Sequence, residues 1–306
     1  MDNKEANQVV VTAATAEIKP SPSAFRVILR EFLKDKVAIV SFVLAVVIML
    51  GCVIWAAFLN HDTIAEVDIM NRYLAPGVNG FVLGTDEGGR DLLPYLVMAA
   101  RNSIGIGVSV ALLNEIIGIF LGTVSGYFGG WIDNIIMRVV DFWMVLPSML
   151  IIIVLVSIVP NYNGVKLVLI MTIFSWTATT RLIRSQVLSQ GRRDYVMASK
   201  TSGTSNLKIM FGGVLPNISS IIITDLTLTV ASSIGIESGL AFLGFGLPNG
   251  TPSLGTLIGY ATQPEIIIDR WWVWLPAALL LLVLSMSINF VGQALKRAAD
   301  SRQRRG

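Results

Sequence analysis

Two uninterrupted apolar runs constrain this chain more than any other feature. Residues 37–59 and 271–292 carry no charged side chain. Each reaches the roughly 20 residues that a helix rising 1.5 Å per residue needs to cross a bilayer. The second opens on Trp271, Trp272 and Trp274, whose rings suit the headgroup zone at a membrane surface. Three further stretches have spanning length with isolated polar breaks. Residues 104–124 hold only Asn114 and Glu115, and residues 217–240 hold Asp225 and Glu237. Residues 135–159 carry Arg138 and Asp141 early, then run on without charge. Residues 167–180 are shorter, and span only if Arg181 and Arg184 stretch their charged ends to the interface. The expected fold is all-α, a polytopic membrane protein with six transmembrane helices.

Composition supports that reading. Hydrophobic residues make up 54% and charged residues only 14%, against about 45–50% and about 25% in soluble domains; the mean hydropathy is +0.69. The net charge of +3 does not indicate a nucleic-acid partner. The basic residues cluster beside apolar runs, with no zinc-ligand spacing and no aromatic–basic platform. One cysteine, Cys52, excludes an internal disulfide, and the single His61 cannot build a histidine metal cluster. Residues 1–23 are polar and read as disordered. The first apolar run begins only after Lys36 and is longer than a signal h-region, so it reads as an uncleaved anchor.

Six spans place both termini on one side. Eighteen of the 23 Lys and Arg residues then fall on that side, including Arg192, Arg193, Lys200 and Lys208 between spans four and five. Arg72, Arg90, Arg101, Lys166 and Arg270 fall on the other. Positive charge is retained on the cytoplasmic side of membranes, so both termini are expected there. Residues 60–102 and 241–270 face outward. The second of these is rich in Gly and Pro, which suggests an ordered cap.

The cytoplasmic loop 192–217, RRDYVMASKTSGTSNLKIMFGGVLPN, carries the strongest local signals. Asp194 is placed to cap a short helix over 195–202, with Tyr195, Ala198, Ser199 and Ser202 on one side. Gly203 supplies a left-handed stop. Ser205 is placed to cap a second helix over 206–211, and Pro216 suits the first turn of the next span. Lys200-Thr201 follows Ala198-Ser199 rather than a glycine loop, so no phosphate-cradling Walker motif is formed here.

This loop resembles the EAA motif of ABC-importer permeases. Met197, Ala198, Ser199, Gly203, Leu215 and Pro216 occupy the motif positions, with Met197 where the family has Glu. FVLGTDEGGRD (81–91), ARNS (100–103), GYFGGW (126–131), ESGLAFLGFG (237–246) and PSLG (252–255) are similar, in the same order, to segments of the C-type permease of oligopeptide and dipeptide importers. The resemblance implies a type I importer permease fold with a helix that docks on an ATPase. The division would be a cytoplasmic tail (1–36), a first span with an extracytoplasmic segment (37–102), a permease core (103–295) and a basic tail (296–306). It implies a second, B-type permease, one or two ATPase subunits and an extracytoplasmic solute-binding protein as partners. ATP and Mg would be bound by the ATPases, and no cofactor by this chain.

A carboxylate at mid-membrane costs about 2.5–3.5 kcal/mol on insertion scales. Glu115 and Asp225 are therefore candidates for the translocation path or for interhelical hydrogen bonds, and Glu237 for an outer cap or gate. An ion-coupled carrier working from these carboxylates, or a membrane sensor, are the readings that compete with an importer. Within the importer family, metal chelates and glutathione compete with peptides as cargo.

Overall fold

The computed structural model describes residues 30–60, 64, 66–248 and 250–303. The expected disordered tail, His61 and Asn249 lie outside them. The helices are α1 (Lys36–Phe58), α2 (Leu92–Phe128), α3 (Gly130–Val145), α4 (Ser148–Ile158), α5 (Gly164–Gln190) and α6 (Asp194–Thr201). They continue as α7 (Asn206–Ile209), α8 (Leu215–Phe242), α9 (Leu254–Gly259), α10 (Pro264–Asp269) and α11 (Leu275–Gln303). Five helical segments are long and apolar enough to cross a membrane, and the bent pair α3–α4 makes a sixth when it crosses as one span. The all-α, six-span expectation holds.

Cap residues fix where the spans begin. The Asp35 carboxylate accepts the Val37 and Ala38 amides at the head of α1. Its other oxygen accepts Arg297 at 2.7 Å, which ties the start of α1 to the end of α11. Asp91 caps α2 through the Leu93 amide. That helix runs for 37 residues, about 55 Å, and so extends well beyond a hydrocarbon core of about 30 Å.

The third span departs from expectation. It is not one straight helix over 135–159 but turns by 79° between α3 and α4. Pro147 lacks an amide hydrogen and its ring forces Leu146 out of the helical region, to φ −70° and ψ 136°. The Trp143 indole donates to the Ile173 carbonyl at 2.6 Å, which seats the elbow on α5. The cations of the fourth span have partners within the protein. Arg181 pairs with Asp141 and Arg184 with Asp133, both at 2.5 Å, which binds α5 to α3. The span is longer than its uncharged stretch because these charges are neutralised by protein.

The closest helix contact joins α2 to α5. A Cβ at Gly118 would stand 2.5 Å from Thr179 Cγ2, at Gly122 2.7 Å from the Thr180 carbonyl, and at Gly126 2.8 Å from the Arg184 carbonyl. These glycines are spaced by four along one face of α2. Side-chain-free faces of this kind let membrane helices approach backbone to backbone.

The two long segments expected to face outward pack together as an ordered cap. The Asp86 carboxylate is buried and accepts the Gly88 and Arg90 amides and the Arg90 side chain. Arg90 thus folds this segment through Asp86, while its neighbour Asp91 serves as a helix cap. Tyr260 donates to Glu87 at 3.2 Å, and burial pushes its phenol above the ordinary range, so it stays a neutral donor. Leu92, Tyr95, Leu254, Leu257, Ile266 and Val273 form the apolar centre beneath.

Replacing Gly122 with Val is expected to destabilise the protein by about 1–3 kcal/mol through overpacking, read as a lower midpoint of thermal unfolding in detergent. Gly51→Val is the control, because a Cβ there meets nothing within 4 Å. Equal midpoints for the two variants would remove the α2–α5 contact from this account.

Candidate coupling surface and intramembrane polar groups

The helix–turn–helix in the 192–217 loop is present, with two corrections. The first helix, α6, starts one residue early, so Asp194 lies in its first turn and Arg193 holds the capping position without a side-chain bond. A carboxylate in the first turn still opposes the positive end of the helix dipole. Gly203 has φ +75°, the left-handed stop that its place in the sequence predicts. Ser205 stands at the head of α7 but its side chain makes no cap bond. The second helix does not end at 211. Through a π-helical stretch, Met210–Val214, it continues into α8 as one helix, Asn206–Phe242.

Pro216 explains the widened turn. Without an amide it cannot donate to Gly212, and the Leu215 amide instead reaches back to the Met210 carbonyl. The Asn217 side chain donates to the Gly213 carbonyl at 3.0 Å, which satisfies a further backbone acceptor. Pro216 thus sits in the first turn of α8, as its place in the sequence predicts, but α8 follows the second elbow helix without a break.

One residue anchors α6 to the bundle. Val196 is fully buried against Ile183, Val187, Ile209, Val214 and Ile218. The opposite side of the loop is open and largely apolar: Met197 is 53% exposed, Leu207 65% and Phe211 51%. Tyr195 and Ala198 are exposed beside them and Ser199 is half-buried. The Tyr195 hydroxyl donates to Gln190, and Lys200 lies 4.9 Å over the Tyr127 ring. Ser199 and Ser202 return their hydroxyls to carbonyls of their own helix. Leu207 and Phe211 were not among the residues selected from the sequence. Their signal was two large apolar side chains in a segment otherwise read only for its cap residues.

The intramembrane carboxylates divide into two groups. Glu115 on α2 is buried and faces Asp225 on α8. Asp225 accepts the Thr179 hydroxyl of α5 at 2.8 Å. It also lines a cavity of about 210 Å³ with Leu182, Gln186, Thr224 and Lys296. Glu115 has neither oxygen in a hydrogen bond of ordinary length, and the adjacent Asn114 is likewise unpartnered among the described residues. Glu237 lies apart, fully buried at the outer end of α8, where Ser238 donates to it at 3.3 Å and Ser103 and Ser253 adjoin it. Ser103 also accepts the Leu254 amide and Asn102 donates to Pro252, which fastens the outer loop to α2. GYFGGW is a turn: Gly129 and Gly130 have φ +64° and +55° between α2 and α3.

The fold is that of an integral membrane protein, a bundle of apolar, membrane-length helices with an exposed helical elbow. The chain belongs to the family of binding-protein-dependent transport system inner membrane components, whose model matches residues 116–305. The N-terminal TM domain of oligopeptide transport permease C matches residues 23–76. The chain is 50% identical over 285 residues to the oligopeptide transport system permease protein OppC of Lactococcus lactis subsp. lactis, covering 93% of this chain and 97% of that one. It is 32% identical over 287 residues to OppC of Bacillus subtilis, with 94% and 92% covered. Against the dipeptide transport system permease protein DppC of that organism it is 32% identical over 300 residues, with 98% and 92% covered.

Gly203→Val is expected to reduce transport severely while leaving membrane insertion unchanged. The left-handed conformation costs a residue with a Cβ about 1–2 kcal/mol, and relief of that strain would redirect α7. The measurement is uptake at matched amounts of membrane-inserted protein, and wild-type uptake would remove the coupling role from this elbow.

Proposed function

We propose that this chain forms one half of the transmembrane path of an ATP-driven importer of oligopeptides. The observation that carries the reading is the identity of one half, sustained along nearly the whole chain, to a permease named for oligopeptide transport. A second relative named for dipeptides keeps the cargo class peptidic. Neither the metal-chelate nor the glutathione alternative has a counterpart among these relatives, nor has an ion-coupled carrier.

In this reading Tyr195, Met197, Ala198, Ser199 and Gly203 form the surface that docks into an ATPase subunit, joined to the bundle through Leu215 and Pro216. Met197 replaces an acidic residue there, so the contact is apolar, and Leu207 and Phe211 extend it. The chain itself binds no nucleotide; ATP and Mg are held by one or two partner ATPases. A B-type permease supplies the other half of the path, and an extracytoplasmic solute-binding protein delivers cargo to the cap. The protein resides in the cell membrane with both termini in the cytoplasm. Asp225 and Glu115 are the proposed polar points of the path, and Glu237 holds the outer gate region.

Co-purification tests the assembly. The ATPases and second permease should be recovered with this chain, and recovery of the ATPases should fall for Leu207→Asp. ATP-dependent peptide uptake should need all subunits. Accumulation by the isolated chain under an ion gradient would overturn the reading in favour of a carrier.

Orientation is checked in a Cys52→Ala background. Cysteines at Val82 and Ile268, both exposed, should react with an impermeant maleimide from outside. One at Leu207 should react only after permeabilisation, and its labelling from outside would reverse the topology. For the path, Glu115→Gln and Asp225→Asn should each lower uptake of many peptides to a similar degree, with the binding protein saturated. A loss confined to one peptide would instead mark a selective site.

A further inference from the structure

An apolar groove lies between α1, α2, α8 and α11, and none of the features above uses it. It holds about 600 Å³. Its walls are α1 (Ile39 to Met49), α2 (Val108 and Leu112), α8 (Ile223 to Val230) and α11 (Ile288 to Leu295), with Phe32 and Leu33 at one end. Thr227 is the one polar side chain on them.

Depth limits what fits. From Ile39 to Met49 helix α1 rises about 15 Å, and from Ile288 to Leu295 helix α11 rises about 10 Å. The hydrocarbon core is about 30 Å thick, so the groove stops near its middle. A spanning helix of another subunit would need a furrow over the full height. The acyl chains of a single leaflet need only half.

Charge selects the headgroup. The end of the groove at Met49 lies near the middle of α1, and the end at Phe32 and Leu33 lies where α1 begins. There Lys34 is paired with Glu31 and Arg297 with Asp35. Arg30 and Lys36 have no ion pair among the described residues, and Lys36 precedes Ile39 by one turn on the same face of α1. Two cations without an ion pair among the described residues thus stand in the segment that opens the groove, Arg30 two residues before Phe32 and Lys36 one turn before Ile39. Basic pockets between membrane helices bind acidic lipid headgroups in this way.

We propose that this groove is a binding site for an anionic phospholipid, with its acyl chains against α1, α8 and α11 and its phosphate at Lys36 and Arg30. Which leaflet supplies it rests on the proposed orientation, and is the cytoplasmic one in that case. The site touches α8 at Ile223 and Leu226, on either side of Asp225 in sequence, so an occupant there bears on the helix that carries the coupling elbow.

The test uses the assembled importer in nanodiscs of phosphatidylcholine doped with phosphatidylglycerol. A photoreactive benzoylphenylalanine at Phe42 should give a phospholipid adduct by mass spectrometry, enriched several-fold in phosphatidylglycerol over its share of the bilayer. Lys36→Gln should abolish the enrichment, Lys36→Arg should keep it, and Val46→Trp should abolish the adduct. An adduct to another polypeptide, no adduct, or the same enrichment in Lys36→Gln as in wild type would overturn the proposal. The maleimide labelling above reads orientation separately, so an error in the leaflet and an error in the site are distinguishable.

Discussion

The backbone-to-backbone contact of α2 with α5 is the constraint on which the rest of the bundle depends. Inside hydrocarbon no hydrophobic force draws two apolar helices together, so close packing and interhelical polar contacts have to do so. Gly118, Gly122 and Gly126 leave α2 bare along one face, and α5 fills that face with its own backbone. Once α5 is held, its other faces locate the remaining parts. Arg181 and Arg184 hold α3 through Asp141 and Asp133. Ile183 and Val187 seat Val196 and so place α6. The coupling surface is thus positioned, two steps removed, by side chains that are missing.

Polar groups buried in the membrane form two clusters with different consequences. At the outer end, Glu237 is surrounded by Ser103, Ser238 and Ser253, and the same α2 segment fastens the loop that carries α9. A Cβ at Gly255 would stand 2.1 Å from the Ser238 carbonyl, so α9 sits directly on α8. At the level of Asp225 the polar groups are incompletely matched, with Glu115 and Asn114 unpartnered and a cavity alongside. Unpaired buried polar groups are costly, and a protein retains them where another state or another molecule satisfies them. One Glu237 oxygen is likewise unpartnered among the described residues, and what sets the Asp225 level apart is that carboxylates of two helices, Glu115 and Asp225, face each other there.

The sequence made the spans legible wherever apolar length alone decides. The 37–59 and 217–240 readings fall within a residue or two of helical residues, because long unbroken hydrophobicity has one outcome in a bilayer. The turn at Gly203 was legible because a left-handed position has a strong residue preference. What escaped notice depends on partners distant in sequence. Arg181 and Arg184 read as snorkelling because nothing local indicates that Asp141 and Asp133 lie opposite. The bend at Pro147 was visible as a proline, but a proline alone does not distinguish a kink from a break. The glycine spacing of four in α2 was present and readable, and was passed over because the apolar residues between were the stronger signal.

The continuity of the second elbow helix with its span has the largest mechanical consequence. Had the second helix ended at 211, a flexible joint would separate the exposed elbow from the span. Instead Asn206–Phe242 is one helix of 37 residues, about 55 Å long. Leu207 and Phe211 stand at one end of it, Asp225 is midway, and Glu237 is near the other end. A displacement of α7 cannot be absorbed at a loop, because there is none between Asn206 and Phe242. The π-helical turn at Met210–Val214 is the one irregularity, where a widened ring and a missing Pro216 amide weaken the ladder between elbow and span. Force applied at α6 and α7 must therefore either rotate the whole of α8, with Asp225 and its cavity, or bend the helix at that turn. Val196, Ile209 and Val214 bridge the turn from the side of α5, and this bracing favours rotation of the helix as a unit.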